Sequence, residues 1–231
     1  MLPQIYPNDS GPTGRPRIRS FQGRRGRISP TRSYAFENYV PNYQIALPDQ
    51  PIDLREVFKS NEIYIDFGCG MGGHTKDLLE QSKCVLAIDV HTAGICDLSV
   101  YAHERNLSTF RLFHGDGLDL FEKLKPQTIS QIDVYFPDPW PKARHAKRRL
   151  FNHAFLAKAD ELLVSGGKIV LVTDDETYAQ HVTEVIASQH LFTQLEFSQP
   201  VTITSFHARG LRLGHQIHKF ELEKINTVNN L

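Results

Sequence analysis

Residues 64–90 read YIDFGCGMGGHTKDLLEQSKCVLAIDV. The apolar run YIDF has strand length and stops at a turn holding Gly68, Gly70, Gly72 and Gly73. Glycines there allow a tight turn and close backbone approach to a ligand. Thr75 to Gln81 follows as a helix, and CVLAIDV (84–90) as a second strand ending near Asp89. The turn satisfies G-x-G-x-G and also matches the dinucleotide pattern through Gly68, Gly70 and Gly73, so alone it does not choose a cofactor. Asp89 stands 21 residues after Gly68, where a carboxylate can accept both hydroxyls of a ribose.

The same alternation continues outward. Ala93 to Arg105 reads as helix, TFRLFHGD (109–116) as strand, and Leu118 to Leu124 as a short helix. IDVYFPD (132–138) is a fourth strand, Asn152 to Val164 a helix with Gly166 and Gly167 at its C-cap, and KIVLVTD (168–174) a fifth strand. Glu176 to Ser188 is helical, and QLEFSQP (194–200) and the alternating HQIHKFELEK (215–224) read as closing strands. Strand–helix alternation over this length predicts an α/β fold, a doubly wound, mostly parallel sheet with an antiparallel closing strand. Ligands of such sheets bind at the carboxyl ends of the strands.

The 231 residues suit one large domain with an arm, and 40% hydrophobic content can bury a full core. No apolar run reaches the length of a membrane span, and the Arg-rich N-terminus lacks the apolar core of a signal peptide. Cys69, Cys84 and Cys96 fit neither a metal-ligand spacing nor an even disulfide framework, so no metal is expected and a reducing cytoplasm suits the chain. The net charge is zero but lopsided: residues 1–32 carry seven arginines and one acid, Asp9. A basic N-terminal arm on an acidic body implies a polyanion bound locally.

Four expected strand ends offer Asp66, Asp89, Asp116 and Asp138. Asp66 precedes the first glycine by two residues, where the pyrophosphate of a dinucleotide would pass. A carboxylate there repels phosphate and attracts an ammonium, and four acids together favour a cationic sulfonium cofactor, S-adenosylmethionine. Asp138 lies in YFPDPWPKARHAKRRL (135–150), between two prolines and beside the single tryptophan, Trp140. Lys142, Arg144, Lys147, Arg148 and Arg149 follow at once. An acidic turn opening onto a basic strip suits chemistry on a base held by its phosphates. Trp140 could stack on a base or anchor the turn in the core.

These segments resemble the bacterial tRNA (guanine-N7)-methyltransferase family, whose fold is the Rossmann-like class I methyltransferase. The likeness runs from about Arg17 to Glu223. It is carried by RIRSFQGRRGRIS (17–29), AFENYVP (35–41), IDFGCGMGGH (65–74), FPDPWPKARHAKRRL (136–150), VTDDETYAQHV (172–182) and TSFHARGLRLGH (204–215). The resemblance implies a basic, partly flexible arm over 1–45 and a methyltransferase domain over 46–231. It implies cofactor contacts at Asp66, Gly68, Gly70, Asp89, Asp116 and Asp138, with Asp138 also in the catalytic position. It places Lys142, Asp174, Thr204, Ser205, Phe206 and His207 against a tRNA substrate, with Arg144, Arg148 and Arg149 holding phosphates. The family usually carries Glu at the positions of Asp66 and Asp89, and Asp-Ala where Asp116-Gly117 stands. It usually reads Thr-Lys-Phe-Glu where this chain has Thr204-Ser205-Phe206-His207, so a cation is lost and a carboxylate becomes an imidazole.

Guanine N7 carries a free lone pair, so methylation there needs positioning more than a strong base. The expected protein is a cytoplasmic monomer or homodimer acting on tRNA, with no membrane and no metal. Two alternatives remain: an RNA-binding relative without full activity, motivated by His207, and an exocyclic-amine methyltransferase, whose turn would carry adjacent prolines that Asp138-Pro139-Trp140-Pro141 lacks.

Overall fold

The computed structural model describes residues 18–21, 28–199, 201, 202, 212 and 214–225. Three helices open the described chain: α1 (Pro30–Asn38), α2 (Val40–Tyr43) and α3 (Leu54–Phe58). The alternating unit follows as β1 (Ile63–Phe67), α4 (Gly73–Glu80), β2 (Cys84–Asp89), α5 (Thr92–Glu104), β3 (Phe110–His114) and α6 (Gly117–Phe121). Next come β4 (Ile129–Tyr135), a 3-10 helix (Ala143–Arg148), α7 (His153–Leu162), β5 (Leu163–Thr173), α8 (Glu176–Ala187), β6 (Phe192–Leu195) and β7 (His218–Lys224).

The sheet runs β3-β2-β1-β4-β5-β7-β6, parallel throughout except for β7, which is antiparallel to both neighbours. Each face has its own core. Ile63, Ile65 and Phe67 of β1 pack with Phe121, Phe155 and Tyr178 on one side. On the other, Tyr64 packs towards Leu78 of α4, Leu98 of α5 and Val40 of α2. The period-two alternation of β1 thus meets helices on both faces, which is why its strand text is apolar throughout.

Helix starts follow side-chain capping. Asp53, Asp116, Asn152 and Asp175 each accept a backbone N–H of the helix they precede. Several boundaries differ from the sequence expectation: α6 ends at Phe121 rather than 124, β6 at Leu195 rather than 200, and β7 begins at His218 rather than 215. Two further differences have a clear backbone cause. The fourth strand ends at Tyr135, not Asp138, because Phe136 turns to a φ of 52° and leaves extended backbone. The fifth strand begins at Leu163, directly after α7, so Gly166 and Gly167 lie inside it rather than capping a helix. There the ladder passes from Ile129–Leu163 to Gln131–Lys168, and Gly166 takes a φ of 69° in the resulting bulge.

The arm enters the body through α1. Arg32 makes a two-pronged ion pair with Asp97 of α5, at 2.9 and 2.8 Å. The first turn of α5 abuts the glycine turn: a Cβ on Gly94 would stand 1.6 Å from the Gly70 carbonyl oxygen. Gly94→Ala must therefore push α5 off the turn. We expect about 1–3 kcal/mol of lost stability in denaturant unfolding, as for other overpacked sites. An unchanged midpoint would show that α5 does not bear on the turn.

Candidate active site

A cavity of about 320 Å³ opens at the carboxyl ends of β1 to β4. That falls within the range of small-molecule sites, roughly 300–1,000 Å³. Gly68 and Gly70 line it, with φ of 83° and 56°, and a Cβ built on either would project into open space. The turn is tied to β2, whose Ile88 carbonyl accepts from the N–H groups of Gly68 and Cys69 at 2.8 and 3.1 Å. Asp89 spans the mouth of the turn. One carboxylate oxygen accepts from Gly70 N–H at 2.6 Å, the other from His91 N–H at 2.8 Å. A carboxylate has about four acceptor positions, so two remain for a vicinal diol. Burial raises the Asp89 pKa, and the backbone N–H bonds work against that rise.

Asp116 and Asp138 complete the wall. Asp116 is also the N-cap of α6, accepting from Leu118 N–H at 3.1 Å. Among the described residues, the lining contains Asp89, Asp116 and Asp138 and no lysine or arginine. Such a wall favours a cation over a phosphate-bearing dinucleotide. S-adenosylmethionine therefore fits the residues present: Asp89 for the ribose, the glycine turn for close approach, and acids around a sulfonium.

Asp66 is placed differently. It is buried beneath the turn, accepts from the Thr75 hydroxyl, and is not part of the cavity lining. Burial lifts its pKa to about 6, against the opposing pull of His74 and Thr75. His74 itself is buried with Asp133, their atoms 3.0 Å apart. Burial would lower the His74 pKa, but the hydrogen bond and charge of Asp133, aided by Asp66, raise it to about 9.

The turn after β4 carries the backbone strain of the site. Phe136 and Trp140 both adopt left-handed backbone, at φ 52° and 45°. Each such non-glycine residue costs on the order of 1–3 kcal/mol and persists only where its surroundings hold it. Here Phe136 N–H donates to the Val172 carbonyl at 2.7 Å. Trp140 is buried and its indole N–H donates to the Ser20 carbonyl at 2.7 Å. Of its two sequence readings, Trp140 takes that of the anchor.

The basic strip divides. Lys142, Arg144 and Lys147 are exposed on or beside the 3-10 helix. Arg148 lies over the Trp140 ring, 4.7 Å from its centroid. Arg149 is buried and donates from Nε to the Pro139 carbonyl at 3.2 Å, so it braces the turn from within. Slight burial and then the charges of Arg144, Arg148 and Lys142 lower the His145 pKa. Asp174 follows β5 and pairs with His215 at 3.2 Å. Thr204, Ser205, Phe206 and His207 lie outside the described residues.

Sequence reasoning missed Ser20 and Phe21, which also line the cavity. Arg19 sits 5.8 Å from the centre of the Phe21 ring. The available signal was a lone aromatic, Phe21, within a run of arginines; read as charge alone, that run points only to a polyanion.

An rRNA methylase from Streptococcus thermophilus shares this fold, with a TM-score of 0.51 at 18% identity over 75% of this chain and 92% of that one. A family model described as "Putative methyltransferase" matches residues 60–220. Fold and site thus define a class I methyltransferase. Two relatives refine this: the tRNA (guanine-N(7)-)-methyltransferase of Nitrosomonas europaea is 35% identical over 87% of this chain and 94% of its own length. That of Escherichia coli K12 is 34% identical over 92% and 94%. The chain belongs to the tRNA (guanine-N7)-methyltransferase family.

Two outcomes follow from the geometry. Phe21→Ala removes a ring from the cavity wall and should weaken S-adenosylmethionine binding by about 1–2 kcal/mol in calorimetry, from lost apolar contact. Equal affinity would detach the arm from the cofactor. The second concerns pH. The folded-state pKa of His74 exceeds its ordinary 6.5, so its stabilisation is complete below that value and fades as pH rises through about 9. The melting-temperature gap between wild type and His74→Gln should shrink by several degrees between about pH 6 and about pH 10. A constant gap would show His74 neutral in the fold.

Proposed function

We propose that the protein transfers a methyl group from S-adenosylmethionine to N7 of a guanine in tRNA, within the variable loop as the family resemblance implies. The observation that carries this reading is Asp138: an acid on the wall of the cofactor cavity, on a turn that runs directly into exposed cations. The names of the relatives agree with it.

The cofactor supplies a methyl group activated on a positively charged sulfur. The remaining work is orientation and electrostatics. Asp138 accepts hydrogen bonds from guanine N1–H and the exocyclic amine, a donor pair that adenine lacks. Its charge also favours the cationic ring that N7 methylation produces. Asp89 takes the ribose hydroxyls, Asp116 the adenine side, and Gly68 and Gly70 let the backbone approach. Asp66 acts from behind the turn by fixing Thr75. Lys142, Arg144 and Lys147, with the arginines of the 1–45 arm, hold tRNA phosphates, which positions the substrate and makes binding salt-sensitive. Asp174 and Thr204 to His207 complete the substrate side. Cytoplasmic residence suits the free thiols of Cys69, Cys84 and Cys96, and the working unit is a monomer or homodimer.

Asp138→Ala tests the reading. Methyl transfer to unmodified tRNA should fall at least about a hundredfold, as for loss of an oriented transition-state contact, while the fold and most tRNA affinity persist. Product mapping should place the wild-type methyl on guanine N7. Substantial turnover by the variant would remove Asp138 from the mechanism, and a methyl group on another atom would overturn the assignment.

A further inference from the structure

Residues 18–21 belong to no helix or strand, yet Ser20 and Phe21 line the cofactor cavity. Their place is therefore set by contacts with the body of the protein rather than by hydrogen bonds of a regular element. One such contact spans 120 residues of sequence: the Trp140 indole N–H donates to the Ser20 carbonyl at 2.7 Å. It attaches the segment to the turn that carries Asp138. Phe21 is the next residue along. It is half-buried on the cavity wall, so a ligand in the cavity covers part of its ring.

Anchoring the turn does not by itself call for tryptophan. Trp140 is buried, and its backbone is left-handed at φ 45°. A phenylalanine ring fills a buried site without needing an acceptor, whereas a buried indole N–H costs free energy unless it finds one. The faces and edges of the indole are met by residues close in sequence. The Arg148 guanidinium lies over the ring, 4.7 Å from its centroid, and the His145 ring stands perpendicular to it with centroids 5.6 Å apart. Its one polar atom reaches out of the turn instead, to the segment that lines the cavity.

We propose that Trp140 is a positioning residue for the cofactor: its indole N–H holds Ser20 so that Phe21 packs against bound S-adenosylmethionine. Trp140 is not itself part of the cavity lining, so it acts through the segment. The inference concerns cofactor binding alone and does not depend on which atom receives the methyl group. Linkage gives it a second face. If the tie favours the cofactor, bound cofactor must favour the tie by the same factor.

Calorimetry and proton exchange on the full-length protein test both faces. Trp140→Phe keeps a ring in the buried site and removes the donor. Its Kd for S-adenosylmethionine should rise about three- to tenfold, the scale of one hydrogen bond. Phe21→Ala should make that change silent, so the double variant should bind within about twofold of Phe21→Ala alone. An action of Trp140 through the turn itself would add in full to the loss from Phe21→Ala. The wild type offers a measurement that needs no change at Trp140. Trp140 is the single tryptophan of the chain, so one indole N–H resonance reports the tie. Saturating S-adenosylmethionine should slow exchange of that proton with solvent by the same factor of about three to ten, and Phe21→Ala should abolish the slowing. Should Trp140→Phe fail to fold, the exchange measurement decides. A wild-type Kd in folded Trp140→Phe, additive losses in the double variant, or indole exchange indifferent to the cofactor would each overturn the proposal.

Discussion

Strand β1 has β2 on one side and β4 on the other. The chain leaves β1 through α4 towards β2, and leaves β4 through α7 towards β5. Because parallel crossovers are right-handed, those two departures carry their helices to opposite faces of the sheet. The two separate apolar cores record this: α4 and α5 build one, and α7 and α8 the other. A crevice must open above the carboxyl ends where the helices part. Every group assigned to the cofactor, and Asp138 beside it, depends on that one reversal of strand order.

Filling the crevice with acids has a cost, and the surroundings show how it is met. Asp89 receives two backbone N–H groups, Asp116 caps a helix, and buried Asp66 receives a hydroxyl. These contacts satisfy the carboxylates through backbone N–H groups and a hydroxyl. Farther from the cavity the logic reverses. Asp133 is buried without access to ligand and takes the imidazole of His74 as its counter-charge. Two aspartates on adjacent strands, Asp66 and Asp133, sit side by side in the ladder, yet among the described residues only Asp133 has a direct ionic partner.

The turn after β4 joins these themes. Its backbone reverses hand at Phe136 and again at Trp140, with Asp138 midway between them. The turn is held from inside by Arg149 and from outside by the chain at Ser20. Ser20, from the N-terminal segment, is therefore one of the groups that hold this turn.

The strand and helix order was legible because apolar periodicity, glycine turns and capping residues are local. The alternation also led to Asp89, Asp116 and Asp138, which follow or end strands β2, β3 and β4 and line one cavity. The family could be read from ordered motifs such as FPDPWPKARHAKRRL. Other features needed the folded molecule. Within the run Arg148-Arg149 the two side chains look equivalent, yet one covers an indole and the other is buried against Pro139. Asp66 and Asp89 look like a matched pair, but only Asp89 reaches the cavity. Gly166 and Gly167 read as a helix stop and instead form a bulge within β5. Ser20 meets Trp140 across 120 residues, and His74 meets Thr202 across 128. Local sequence specifies backbone conformation and which faces are apolar. Which two distant side chains share one small volume is settled only when the sheet order brings them there, because long-range contact carries no period in the chain.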